Sequence, residues 1–75
     1  MYPDFTIRHP VTGNFIYWEH LGLMDEWSYA KNASQKIQTY MTNHIYPGIN
    51  LIITSETKEH PLQPQMISKI IEQYF

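Results

Sequence analysis

Two short stretches that alternate polar and apolar residues, separated by a turn-forming hexapeptide, constrain this chain more than any other feature. The first is Asp4 to Arg8 (Asp-Phe-Thr-Ile-Arg), opened by Pro3 and closed by Pro10. The second runs from Phe15 to Leu21 (Phe-Ile-Tyr-Trp-Glu-His-Leu). Alternation of this kind is the signature of half-buried strands. The intervening His9-Pro10-Val11-Thr12-Gly13-Asn14 has proline and Gly-Asn turn chemistry, so the two segments are predicted to form an antiparallel hairpin. Side chains alternate along a strand, which sends Ile16, Trp18 and His20 to one face and Phe15, Tyr17, Glu19 and Leu21 to the other.

Beyond the hairpin the period changes. Gly22 ends the second strand, and Asp25 or Ser28 is a candidate cap for a helix running to about Ile45. Ala30, Ala33, Ile37, Tyr40, Met41 and His44 recur at spacings of three and four and define its apolar stripe. Tyr46-Pro47-Gly48 breaks the helix, and Asn50 to Glu56 reads as a more fully buried strand. A last helix is predicted from about Pro64, with Met66, Ile67, Ile70, Ile71 and Tyr74 on its buried face and proline in its first turn. The order is β-β-α-β-α, an α/β fold with a mixed three-stranded sheet and two helices. A strand, long helix, strand succession implies a crossover between parallel neighbours.

Size limits what such a fold can do alone. A single domain of 75 residues buries only about 60–65% of the surface its unfolded chain exposes, so help from a partner chain is expected. The chain has no cysteine, which excludes a disulfide framework, a thiolate zinc site and a cysteine nucleophile. Its longest aliphatic run, Leu51-Ile52-Ile53, is far short of the roughly 20 apolar residues of a membrane helix, and no signal pattern opens it. A cytoplasmic location without a membrane partner is the expectation. A formal charge of −2 gives no bulk attraction to nucleic acid, so phosphate binding needs a local cluster or a bound cation.

Asp4 and Glu19 are the residues with most chemistry to explain. Each lies in a short apolar strand, and a hairpin would point both carboxylates at one place, where they repel unless a proton or a divalent cation lies between them. The bland alternative is a strand start for Asp4 and an exposed position for Glu19. On the functional reading the two acids hold Mg²⁺ or Mn²⁺, with the His20 backbone carbonyl as a further oxygen ligand, and a metal-bound water is the candidate nucleophile. Lys36 borders the helical stripe. It is either a snorkelling surface lysine or an ammonium that orients the attacking water. Gln35 beside it is a candidate phosphate contact. Tyr17, Trp18, Trp27, Tyr29 and Tyr40 are candidate base-stacking rings, with core packing as the simpler explanation. The four histidines, His9, His20, His44 and His60, are dispersed and do not make a zinc pattern.

The segments Tyr2-Pro3-Asp4-Phe5-Thr6-Ile7, Ile16-Tyr17-Trp18-Glu19-His20-Leu21-Gly22, Ser34-Gln35-Lys36-Ile37-Gln38-Thr39-Tyr40 and Asn50-Leu51-Ile52-Ile53-Thr54 resemble the later part of PD-(D/E)XK, or restriction-endonuclease-like, proteins of bacteria and phages. The resemblance covers nearly the whole chain. It implies that Pro3-Asp4 is the PD motif, that Glu19 is the acid of the next strand, and that a divalent metal, usually magnesium, supports phosphodiester hydrolysis of DNA. Leu21 occupies the position where the family's lysine normally stands. Some branches supply that lysine from the following helix, where Lys36 matches. The family usually has a helix and a strand before the PD motif, so residues 1–75 look like a single truncated domain, a carboxy-terminal portion that buries its sheet edge against another copy. The competing reading is a catalytically inactive remnant acting as an oligomerisation or binding module.

Overall fold

The hairpin forms because its loop closes on itself. In the computed structural model, which describes residues 3–75, β1 (Phe5–Arg8) and β2 (Phe15–Leu21) pair antiparallel, with Phe5 opposite Trp18 and Arg8 opposite Phe15. Tyr2, part of the segment compared above, lies outside the described residues. The His9 N–H donates to the Asn14 carbonyl at 2.8 Å and the Gly13 N–H to the His9 carbonyl at 3.0 Å. Gly13 takes a positive φ of 75°, which costs a glycine little and a side-chain-bearing residue much more. The His9 ring completes the turn, its Nδ1 accepting the Val11 and Thr12 N–H groups at 3.1 and 3.2 Å.

Helix α1 (Trp27–Thr42) carries the chain from β2 to its parallel neighbour β3 (Leu51–Ser55), and α2 (Pro64–Tyr74) follows. The strand order is β1-β2-β3, a mixed three-stranded sheet in which the expected β-β-α-β-α order holds. Tyr17 pairs with Leu51 and Glu19 with Ile53, so Leu51 and Ile53 share the face of Tyr17, Glu19 and Leu21. α1 lies on that face. α2 lies on the other, where Ile67 and Leu62 meet Phe5, Ile7, Trp18, His20 and Thr54 around one cavity. The core is Ile16, Leu21, Ala33, Tyr40, Leu51 and Ile52, with Leu51 fully enclosed.

Element boundaries depart from the sequence reading where a side chain competes for the backbone. β1 begins at Phe5 because Asp4 bends out of the strand, and its carboxylate takes the His20 N–H. Glu26, not Asp25 or Ser28, precedes α1. Asp25 instead accepts the Lys58 N–H at 3.3 Å, which ties the helix entry to the exit of β3. α1 stops at Thr42 rather than near Ile45, because His44 adopts φ 63°. The Ile45 N–H then reaches back to the Tyr40 carbonyl at 2.9 Å and the His44 N–H to the Met41 carbonyl at 3.1 Å, the two bonds of a left-handed helix stop. His44 therefore leaves the apolar stripe. β3 is shorter than Asn50–Glu56 by one residue at each end, since the Asn50 side chain folds back to cap the Tyr46 N–H at 2.7 Å.

The largest departure concerns α2. The expected buried face is only half covered: Met66 and Ile71 are 52% and 47% exposed, and no residue of the helix is buried. A helix with one apolar stripe is enclosed only where it seats on an apolar surface, and here a cavity of about 390 Å³ is left between Phe5, Ile7 and Trp18 of the sheet and Leu62 and Ile67.

Candidate functional site

Glu19 is a carboxylate where a small sheet would ordinarily place an aliphatic side chain. It stands between Tyr17 and Leu21 on the face covered by α1, and it is 3% exposed. An ionised group so placed must be paired and hydrogen-bonded. The long helix supplies both needs from residues one turn apart. The Tyr40 hydroxyl donates to Glu19 Oε1 at 2.6 Å, and Lys36 Nζ lies 2.8 Å from the same oxygen. The alternative of an exposed Glu19 on a solvated strand face is therefore overturned, because strand parity and the helix crossover carry it inward.

Asp4 joins this group through the hairpin register. One step beyond the Phe5–Trp18 pair, and just past the start of β1, Asp4 falls at the register position next to Glu19. The chain turns at Asp4, which leaves the His20 N–H without a strand partner. Asp4 Oδ2 accepts it at 2.8 Å. Both acids act on the Tyr40 phenol. Its pKa is pushed well above the ordinary tyrosine value of 10, first by burial, then by its bond to Glu19, and then by the negative charges of Glu19 and Asp4. At neutral pH Tyr40 is therefore a donor to Glu19.

Lys36 is about one-third exposed, and its ammonium closes one wall of a cavity of about 260 Å³ lined also by Glu19, Leu21, Tyr29, Asn32 and Ala33. The Tyr29 hydroxyl accepts the Gly22 N–H at 3.2 Å, fixing the turn after β2 at the cavity's rim. The other proposed contacts scatter. Gln35 is exposed and does not line this cavity. Tyr17 is half-buried beside Tyr40, Pro3 and Asn43. Tyr40 is 2% exposed and packed under the helix, so it has no face for a base to stack on. Its place in the site is through its hydroxyl.

The His20 ring lies on the opposite face of the sheet, as strand parity requires. Its Nδ1 pairs with Thr54 Oγ1 and its Nε2 with Glu56 Oε1, both at 2.8 Å, while Trp18 Nε1 donates to Thr54 Oγ1 at 3.0 Å. Glu56 Oε2 accepts the Leu62 N–H at 3.1 Å. The His20 bond, followed by the Leu62 N–H, holds the Glu56 carboxyl below its ordinary pKa. Sequence reasoning missed this chain of bonds. The parity of Trp18 and His20 was a signal, but Thr54 and Glu56 reach them only through the parallel register of β3.

Among the described residues, no three His, Cys, Asp or Glu side chains gather as a metal cage. Nor is any helix among them long and apolar enough to cross a membrane. Comparison with family models, curated proteins and solved structures finds no match to this chain.

Proposed function

We propose that Asp4, Glu19 and Lys36 form the site of a divalent-metal-dependent nuclease, hydrolysing phosphodiester bonds of DNA. The observation that carries this reading is the pairing of a buried carboxylate with a helical lysine beside the end of the hairpin that bears Asp4. A buried Glu19 is paired with Lys36 at 2.8 Å, and Asp4 stands in the next position across the hairpin. A structural salt bridge explains Glu19 and Lys36. It does not account for a second carboxylate at the neighbouring register position, where Asp4 also takes the His20 N–H.

The donor set suits Mg²⁺ or Mn²⁺. Two carboxylates and the His20 carbonyl are all oxygen donors, and Mg²⁺ typically keeps several waters and binds through one or two carboxylates together with substrate phosphate. When bound, such an ion lowers the pKa of a coordinated water and offsets charge gathering on the phosphate. The chain's own residues supply the rest. Tyr40 fixes the rotamer of Glu19 by donating to one oxygen. The His20 N–H fixes Asp4 in the same way. The Lys36 ammonium orients a water for attack and stabilises the developing negative charge on the phosphoryl oxygens. A cytoplasmic setting goes with this substrate.

The test is nicking of supercoiled plasmid in Mn²⁺, with Mn²⁺ affinity measured separately by paramagnetic resonance. Glu19→Gln is expected to abolish nicking and weaken Mn²⁺ binding, with the fold checked by circular dichroism. Cleavage unaltered by that substitution would remove the site.

A further inference from the structure

β1 is an edge strand, and its sequence is complementary to itself. The His9 N–H donates inward to Asn14, and backbone direction alternates along an antiparallel strand, so Ile7 and Phe5 also bond inward. The N–H and C=O groups of Thr6 and Arg8 therefore face the open edge. Pro3 and Pro10 lack an N–H and bracket the stretch, which confines any added strand to positions 4–9.

We infer that a second copy of this chain pairs antiparallel with β1 about a twofold axis at Thr6, with Asp4 of each copy opposite Arg8 of the other. In that register Thr6 meets Thr6 as a hydrogen-bonded pair, and Phe5 meets Ile7. Only one pairing centre brings the two opposite charges together. Arg8 has no ion-pair partner among the described residues, and it is exposed. The other edge of the sheet, Leu51–Ser55, carries no charge that would fix a register. The apolar side agrees with this choice. Phe5 is 60% exposed, and Phe5 and Ile7 form the outer wall of a cavity of about 390 Å³ whose exposed lining is wholly apolar, with Trp18, Leu62 and Ile67 behind them. The second copy's Phe5 and Ile7 extend that wall and take the exposed ring out of water.

The pairing has a consequence for the acid site, which rests on the nuclease reading above. Thr6 and Arg8 share the face of Tyr17 and Glu19, and continuing the register past Phe5 makes the row across the joined strands run Glu19, Asp4, then the second copy's Arg8. A guanidinium beside two carboxylates reduces their repulsion and offers phosphate a bidentate fork. The site would then be completed by the neighbouring copy.

Two experiments test this. Sedimentation across a concentration series should show a metal-independent monomer–dimer equilibrium. Arg8→Asp sets like charges opposite each other in two symmetric rows and should raise the dissociation constant roughly tenfold or more. The double variant Asp4→Arg/Arg8→Asp restores opposite charges in both rows and should recover dimerisation. Thr6→Cys should oxidise to a covalent dimer far faster than the exposed control Lys58→Cys, since a hydrogen-bonded pair holds Cα atoms ~5.5 Å apart, within disulfide range. A strict monomer, a double variant no better than Arg8→Asp, or equal oxidation of the two cysteines would overturn the pairing. For the shared site, a mixture of Glu19→Gln and Arg8→Gln chains should regain nicking, because one site in each mixed dimer is intact. Wild-type nicking without such recovery would remove Arg8 from the site and leave the nuclease reading standing. A dimer that never nicks would do the reverse.

Discussion

The two faces of the sheet solve the same problem differently. On the α1 face, the helix brings a tyrosine and a lysine onto a buried carboxylate, and the packing closes around a charge. On the α2 face, the polar atoms of Trp18, His20, Thr54 and Glu56 satisfy one another, and the apolar residues around them remain half open. The difference teaches that burial is not spread by hydrophobicity in this chain. Its most amphipathic helix is its least buried, while its long helix spends its enclosed positions on Ala33 and Tyr40.

The sharpest way to break this contrast is Tyr40→Phe against Ile71→Gln. The first removes a donor from a buried carboxylate and is expected to cost about 1.5–3 kcal/mol in urea unfolding. The second alters an exposed helical position and should stay within about 0.5 kcal/mol. Equal losses would mean that α2 is covered in solution. A smaller effect, of opposite sign, is expected at the end of α1. His44 holds φ 63° without being glycine, so His44→Gly should stabilise the chain by roughly 0.5–1 kcal/mol, read as a rise in melting temperature.

The smallest effect belongs to the α2 face and depends on pH. Folding lowers the pKa of Glu56, so its unfolded form binds protons more readily. Its contribution is therefore present above the ordinary carboxylate value of about 4.5 and is lost as the pH falls through the lowered folded value. Wild type should exceed Glu56→Gln in unfolding midpoint at neutral pH, and the two should converge in acid. A constant gap at every pH would show that the charge on Glu56 is not what the bond to His20 requires.

The fold was largely legible because its signals are local. Alternation in Phe5–Arg8 and Phe15–Leu21, the turn residues at Pro10 and Gly13, and the helical spacing of Ala33, Ile37 and Tyr40 each act over a few residues. Asp4, Glu19 and Lys36 were legible as candidates on the same grounds. For Tyr40 the stripe and the core-packing alternative pointed inward while the base-stacking candidate pointed outward, because a ring at helical spacing does not reveal whether its hydroxyl has a buried partner. The Glu56–His20–Thr54 bonds were invisible, since they join residues 34 and 36 positions apart.

By itself, then, the amino-acid order determined the elements, their order and the parity of each strand, because periodicity and turn chemistry operate within a few bonds of each residue. Only the tertiary structure decided that Glu19 is enclosed, that Tyr40 and Lys36 converge on one of its oxygens, that His44 turns the chain out of α1, and that α2 is left half uncovered. Those outcomes depend on how strands and helices come together across loops, where desolvation of a charge and the seating of each helix on the sheet outweigh local preference.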